Sequence, residues 1–307
     1  LVNAVPGVEL AGAVVPRRPA IQGCVPMFVF GGHTRGSGKS LLVDVCAVIA
    51  QGLVAARMPP VDDTELEKRI TPYLLDGSRL LLIDNVTEGV GGSVLDASLT
   101  SGLWSGRVLG KSKVVRLPMR LVFFATGNNI RIKGDLLRRA LQCYLDSQLE
   151  HPEKRAGFKH PRLLAWVSDN RERLVVDVLT VLKARLVECG PSPLSPLGGF
   201  EGWCEVVRDA LVWLGQPDPV ASQGSLVSDE DDERAANETM LTVLHGKFGA
   251  KGFTAREVCL LLSGVHPYMT GDFGSVPGEN VFEACSTLDF RLQPPDARAI
   301  GAWLGSV

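Results

Sequence analysis

Apolar residues along this chain follow two rhythms. Short unbroken runs, "PMFVF" (26–30), "RLLLIDN" (79–85) and "RLVFFATGNN" (120–129), carry polar or glycine boundaries and predict buried strands. "LVAARM" (53–58) and "CYLD" (143–146) are shorter candidates for a second and a fifth strand of the sheet. Between them the spacing becomes helical: "KSLLVDVCAVIAQG" closes on Gly52, and "DTELEKRITPYLLDG" has an acidic start and a terminal glycine, with Pro72 as an irregularity. "SVLDASLTSGLW" and "GDLLRRALQCYLD" also predict helices, the second leading into the fifth strand, and "VLGKSKVVRLP" predicts a turn and strand. Strand–helix alternation of this kind specifies an α/β fold with a mainly parallel five-stranded sheet covered on both faces.

After 150 the pattern is helical, through "RLLAWVSDNRERLVVDVLTVLKARLVE" and "FEGWCEVVRDALVWLG". "QPDPVASQGSLV" (216–227) is rich in Pro, Ser and Gly and is the expected linker. Beyond it, Ser228 is positioned to cap a helix whose acidic first turn suits the positive end of the helix dipole. The expected organisation is a helical lead-in (1–24), an α/β domain with a helical extension (25–215), the linker, and a C-terminal domain (228–307). In that last domain "GFTAREVCLLLSG", capped by Thr254, and "DARAIGAWLGSV" fit the helices of a winged-helix-like module.

Composition narrows the classes. A chain of 307 residues that is 45% hydrophobic buries a large core. A formal net charge of −2 gives no global basic signature, so any nucleic-acid surface has to be local. Seven scattered cysteines without a C-x-x-C pair point to a reducing cytosol and exclude a zinc ribbon. No apolar run reaches the 18 or so residues that span a bilayer, and "LVNAVPGVELAGAVVPRR" has its basic pair at the wrong end for a signal peptide. A start on Leu1 rather than Met suggests an excised part of a longer protein.

Chemistry concentrates in "FVFGGHTRGSGKSLL", a strand, a glycine turn and a helix start. Backbone N–H groups and a helix N-terminus aimed at one point make a phosphate site. Arg35, Gly36, Ser37 and Gly38, with Lys39, Ser40 and Leu41, form the expected ATP-binding segment. Lys39 is placed to reach the β- and γ-phosphates, and the Ser40 hydroxyl to hold Mg²⁺. The first glycine of G-x-x-x-x-G-K-[ST] is His33 here, with Gly32 one residue earlier to supply the turn. Asp84, after four apolar residues, is the expected metal-holding carboxylate, on a strand that another strand separates from the loop strand. "FFATGNN" puts the Asn128 amide beside a γ-phosphate, and Arg138 and Arg139 follow on the next element.

"GSGKSLL", "RLLLIDN", "FFATGNN" and "GDLLRRAL", in that order, resemble the AAA+ ATPases, and most of all the superfamily 3-like, hexameric helicase module of phage and mobile-element primase-helicases. The resemblance extends over roughly 11–219 through "ELEKRITPYLLDG", "LTSGLWSGRVLG", "HPEKRAGF" and "WCEVVRDALVWLGQPDP". It implies that Asn128 is the sensor asparagine and Arg139 the arginine finger given to a neighbouring subunit, with Arg138 the runner-up. It also implies ATP and Mg²⁺ as cofactors, a hexameric ring, and single-stranded DNA in a central channel. In the interval before the Asn128 strand such helicases carry a channel hairpin, and "SGRVLGKSKVVRLP" supplies Arg107, Lys111, Lys113 and Arg116 there.

One departure touches catalysis. The residue after Asp84 is Asn85, where AAA+ proteins carry a catalytic Glu. Glu65 stands where RecA-like ATPases keep theirs, and Glu88 is its rival. The expected activity is an ATP-driven DNA helicase or translocase in the replication of a phage or integrative element. A regulatory or defence ATPase that switches without unwinding DNA is the alternative, and a small-molecule kinase a weaker third.

Overall fold

β1 (Met27–Gly31) is buried along its whole length, because it lies inside a sheet with a strand on either side. The computed structural model describes 21–258 other than 22, 88, 146, 148, 150, 189, 191, 193 and 250–252, together with 300, 301 and 304; for 188 and 224–235 it describes the backbone alone. β2 (Ala56–Met58), β3 (Leu80–Val86), β6 (Val122–Gly127) and β7 (Ala140–Tyr144) complete a five-stranded sheet in the order β2-β3-β6-β1-β7. Every pairing in it is parallel. This is the α/β arrangement typical of a P-loop, AAA+-type NTPase core. As expected from the spacing of the motifs, β6 separates the loop strand β1 from the Asp84 strand β3. All five strands therefore end at one edge, where open α/β sheets bind ligands.

Helices cover the sheet. α1 (Lys39–Gln51) runs from the loop after β1 and ends at Gly52, whose N–H bonds the Val48 carbonyl. α2 (Asp63–Leu75) opens on Asp62, whose carboxylate accepts from the Glu65 N–H, and tolerates Pro72 in its last turn. α3 (Ser93–Thr100) is shorter than the apolar pattern suggested. Ser101 and Gly102 stop it, and "LW" passes instead into β4 (Leu103–Arg107), which pairs antiparallel with β5 (Val114–Pro118). The helix expected over "GDLLRRALQCYLD" is likewise corrected: a 3₁₀ turn spans Gly134–Arg138 and the chain is already extended at Ala140. Pairing with β1, Met27 to Ala140 onward, outweighs the local helical spacing.

α4 (Leu163–Asp169), α5 (Arg171–Glu188) and α6 form the helical extension. α6 begins at Glu201–Trp203, passes a π-helical turn at Cys204–Arg208 and continues over Asp209–Trp213. Phe200, Trp203, Val207 and Leu211 share one apolar core with Phe28, Phe30, Val43, Ala47 and Phe124. At roughly 25 cal/mol per Å² of apolar area, these aromatic and branched side chains bind the extension to the sheet. Two ion pairs close its far side, Arg185 to Asp209 at 3.2 Å and Arg208 to Asp218 at 2.6 Å.

The chain divides into two units, Leu1–Gly224 and Ser225–Val307. α7 (Ala221–Phe248) begins seven residues before Ser228, so the cap expected there is corrected, and 221–227, within the span where the two units meet in sequence, are helical. The start signal is Asp218-Pro219: the Asp218 carboxylate accepts from the Val220 N–H at 3.0 Å and its carbonyl from the Ala221 N–H. In the second unit Met240, Val243 and Leu244 are buried on α7. Thr254 caps a following helical turn, exchanging hydrogen bonds with Glu257 as a capping box. Most of the expected winged-helix-like module, and the lead-in over 1–20, lie outside the described residues. Among the described residues no helix is long and apolar enough to cross a membrane.

Candidate nucleotide-binding site

A cleft of about 750 Å³ opens at the ends of β1, β3 and β6. Its lining contains all seven residues of the expected ATP segment, Arg35 to Leu41, together with Asp84 and Asn128. Gly36 and Gly38 have φ of 72° and 93°, left-handed values that favour glycine. α1 starts directly after this turn, so its unpaired N–H groups and positive dipole end face the same space.

Lys39 is only 9% exposed. Its ammonium donates to the Thr34 carbonyl at 2.9 Å, the Ser37 hydroxyl at 2.9 Å and the Asn128 amide oxygen at 2.8 Å. All three ammonium donors are thus used, and burial lowers its pKa from the ordinary lysine value. The residue read as the phosphate lysine and the one read as the sensor asparagine are in direct contact, although 89 positions separate them.

A second cluster surrounds Asp84. One carboxylate oxygen accepts from the Ser40 hydroxyl at 2.7 Å and from the Thr126 hydroxyl at 2.5 Å. The other accepts from Arg57 at 3.2 Å. Burial by itself raises the Asp84 pKa, but the Thr126 and Ser40 hydroxyls and the Arg57 charge together hold it below the ordinary carboxylate value. Arg57 also grips the buried Asp44 carboxylate of α1; there burial wins, and the Asp44 pKa is raised. Ser40 and Asp84 offer hard oxygen donors side by side, the donor set that Mg²⁺ takes alongside water and substrate phosphates. Among the described residues no cluster of three or more His, Cys, Asp or Glu forms a separate metal site.

Asn85 and Asn129 are the non-glycine residues with positive φ among those described, at 62° and 49°. Each follows a motif residue, Asp84 or Asn128, at the end of its strand. The Asn85 N–H donates to the Thr126 hydroxyl at 3.2 Å, which ties the two strand ends together.

Glu65 does not line this cleft. It sits on α2 with its carboxylate held by Arg69 at 2.9 Å and Lys68 at 3.6 Å. These contacts, the Arg69 hydrogen bond foremost, lower its pKa from the ordinary value. Its rival Glu88 lies outside the described residues. Arg139, read as the finger, has a side chain 16% exposed and bound to Asp96 at 2.5 Å and Asp135 at 3.1 Å. Arg138 is 68% exposed and is paired with Asp135 alone among the described residues, at 2.9 Å. Arg107, Lys111, Lys113 and Arg116 are all exposed on the β4–β5 hairpin, and none is in an ion pair with another described residue. The hairpin tip carries Leu109, 78% exposed, beside the left-handed Gly110. Its base is fixed by buried Trp104, whose indole N–H donates to the Thr71 hydroxyl of α2 at 2.9 Å.

Arg57, Asp44 and the Thr126 hydroxyl were not marked as site residues by their sequence neighbourhoods. Only β2–β3 pairing, Ala56 with Leu81 and Met58 with Ile83, brings Arg57 beside Asp84.

No protein-family profile matches this chain, and no curated protein matches it. Solved structures are distantly similar to it, two of them as follows. The A-form apo structure of the NrS-1 C-terminal region is 18% identical, with a TM-score of 0.40 over 55% of this chain and 39% of that one. The SCCmec type IV Cch active helicase is 11% identical, with a TM-score of 0.31 over 78% of this chain and 50% of that one. The chain spans half or less of the length of each of these two proteins.

Proposed function

We propose that this chain is an ATP- and Mg²⁺-dependent motor that assembles as a ring, most simply a hexamer, and moves on single-stranded DNA. One observation carries the nucleotide part: Lys39 meets Asn128, and Ser40 meets Asp84, around a cleft at the ends of three adjacent parallel strands. An anionic triphosphate suits the loop N–H groups and Lys39, while Ser40 and Asp84 would hold Mg²⁺ at its β,γ end. Bound there, Mg²⁺ supplies neutralisation of the charge that develops on the phosphoryl oxygens. The Asn128 amide, already on Lys39, stands beside the reacting end. For the arginine given to a neighbour, Arg138 has the more exposed guanidinium, while Arg139 is held within its own protomer.

The DNA part rests on the exposed Arg107, Lys111, Lys113 and Arg116 of the hairpin. Repeated around a ring, they would line a channel with positive charge despite the chain's net charge of −2. A role in phage or mobile-element replication is what the motif resemblance implies. ATP hydrolysis measured with and without single-stranded DNA, beside strand displacement and ring mass, tests the whole reading. DNA-stimulated hydrolysis with displacement is expected. Hydrolysis without any response to DNA selects the alternative, an ATPase switch or assembly factor, which the absence of Glu65 from the cleft favours.

A further inference from the structure

His33 occupies the position where a phosphate loop ordinarily has glycine, and the structure gives it a partner. Close backbone approach has moved to Gly32, where a Cβ would stand 2.6 Å from the Leu145 carbonyl oxygen. That leaves the next residue room for a side chain. The His33 Nδ1 lies 2.7 Å from the Asn129 amide oxygen, with the ring edge-on to Tyr144 at a centroid distance of 5.0 Å. Asn129 is one of the two left-handed asparagines, and its own N–H donates to the Gly32 carbonyl at 3.1 Å. Its neighbour Asn128 accepts from Lys39 at 2.8 Å.

These contacts close a circuit. From Lys39 the path runs through the Asn128 side chain, the Asn128–Asn129 backbone and the Asn129 side chain to His33, and back along the loop to Lys39. A non-glycine residue at positive φ persists only where its surroundings hold it. Here a backbone bond and a side-chain bond from consecutive loop residues, Gly32 and His33, do so.

We propose that His33 is a positioning residue for ATP hydrolysis: by holding Asn129 in its left-handed turn, it keeps the Asn128 amide on Lys39 and makes the phosphate loop and the β6 tip one unit. The proposal rests on the reading of the cleft as a triphosphate site and goes beyond it, because it gives a task to the residue that breaks the loop pattern. His33 acts through Asn129 and Asn128 and is not itself a cleft-lining residue. Binding of nucleotide depends on loop N–H groups and Lys39, which the circuit does not replace. Turnover depends on where the Asn128 amide stands when the phosphoryl group transfers. Loss of His33 should therefore lower turnover and spare affinity.

The test uses the full chain and variants, with affinity for a fluorescent ATP analogue and single-turnover hydrolysis measured separately, and melting as the check on folding. His33→Gly, which restores the usual residue, is expected to cut the hydrolysis rate about tenfold, the low end for an outer-shell partner, with affinity changed by less than about threefold. His33→Asn, whose side-chain N–H sits near the place of Nδ1, should recover most of the rate. His33→Phe keeps an aromatic ring beside Tyr144 but has no donor, and should not. Asn129→Gly allows the left-handed backbone but removes the acceptor; it should match His33→Gly, and the double variant should be no slower than either single one. If His33→Gly fails to fold, Asn129→Gly carries the same comparison from the other partner. Wild-type rates in His33→Gly and Asn129→Gly, additive losses in the double variant, or equal losses in affinity and rate each overturn the proposal. A wild-type chain that binds no nucleotide removes the site reading instead, and the positioning role with it.

Discussion

The cleft and the β4–β5 hairpin treat charge in opposite ways. At the centre of the cleft the charges are answered: Lys39 has three acceptors, and Asp84 has two hydroxyls and a guanidinium. On the hairpin Arg107, Lys111, Lys113 and Arg116 stand in water without ionic partners among the described residues, and only the base, through Trp104 and Thr71, is fixed. The first arrangement is preorganised: its dipoles are already oriented and would cost little to align around the proposed triphosphate. The second is a long-range attractor, whose effect depends on salt and tolerates side-chain motion. Removing a group from the first region should therefore change rates steeply, and removing one from the second should change affinity gradually.

Two effects are expected to be largest, and the first is that of Lys39→Ala. It removes the one ammonium in the cleft and separates the loop from Asn128, and loss of a single preorganised donor costs about 10²–10³ in rate. Hydrolysis should fall below detection while melting and size remain those of a folded protein, because the side chain lies at the cleft rather than in the apolar core. Normal turnover in folded Lys39→Ala would remove the phosphate-loop assignment. As large or larger is the effect expected for the arginine proposed to reach across the subunit boundary, where a finger of this kind contributes about 10³–10⁵. Lys39→Ala mixed with Arg138→Ala should regain activity, since mixed rings contain boundaries with an intact loop and an intact arginine. Lys39→Ala mixed with the doubly changed chain offers no such boundary and serves as control. Recovery only with Arg139→Ala in place of Arg138→Ala would mean that Arg139 leaves Asp96 and Asp135 on assembly. No recovery from either mixture, with mixed rings verified by mass, would exclude both.

A smaller, graded effect belongs to the hairpin. Lys111→Ala with Lys113→Ala removes two candidate phosphate contacts, so the slope of log affinity against log salt should flatten by about 1.4 for a single strand. Hydrolysis without DNA should stay near the wild-type rate, because neither lysine lines the cleft. An unchanged slope would leave the hairpin as plain surface. Thr71→Val sharpens the contrast without touching charge. It strands the buried Trp104 N–H, at a cost of about 1–3 kcal/mol, and should weaken DNA binding while leaving the salt slope intact.

What the sequence made legible follows the same division. Chemistry that sits at strand ends declares itself locally: "GSGKS", the Asp after "LLLI" and the Asn after "FFATG" each mark a strand tip, and parallel pairing then brings the tips together. The hairpin's charges were legible, but its first strand was not. "SVLDASLTSGLW" keeps a helical apolar spacing through Trp104, and only the pairing of Leu103 and Trp104 with β5, with Trp104 anchored on Thr71, makes the last residues a strand. Arg57 was hidden for a related reason. Its meaning comes from β2–β3 register and from Asp44 on α1, 13 positions away, and no local pattern encodes either. Asn129 was visible as a turn residue, but its bond to His33 spans 96 positions.

The smallest effect is expected at Glu65, and it bears on what replaces the Glu that would ordinarily follow Asp84. A general base must come within hydrogen-bond reach of the water it activates. Glu65 instead turns along α2 to Arg69 and Lys68, partners at i+4 and i+3, and its pKa is lowered chiefly by the Arg69 hydrogen bond. A carboxylate so stabilised in its charged form is a weaker base, and exposed pairs of this kind contribute little to folding. Glu65→Gln should therefore keep hydrolysis within about twofold of wild type, since it removes only a surface charge pair. Glu88→Gln, measured beside it, is the informative partner. A large loss there with none at Glu65 assigns the base to the segment just after β3. Equal, small losses in both would leave Asp84 and the Asn85–Asn128 amides as the groups that orient water, as suits a slow switch better than a fast motor. A loss of a hundredfold in Glu65→Gln with nucleotide affinity intact would show that α2 carries Glu65 to the cleft when the triphosphate binds, and that the Arg69 pair is a resting arrangement.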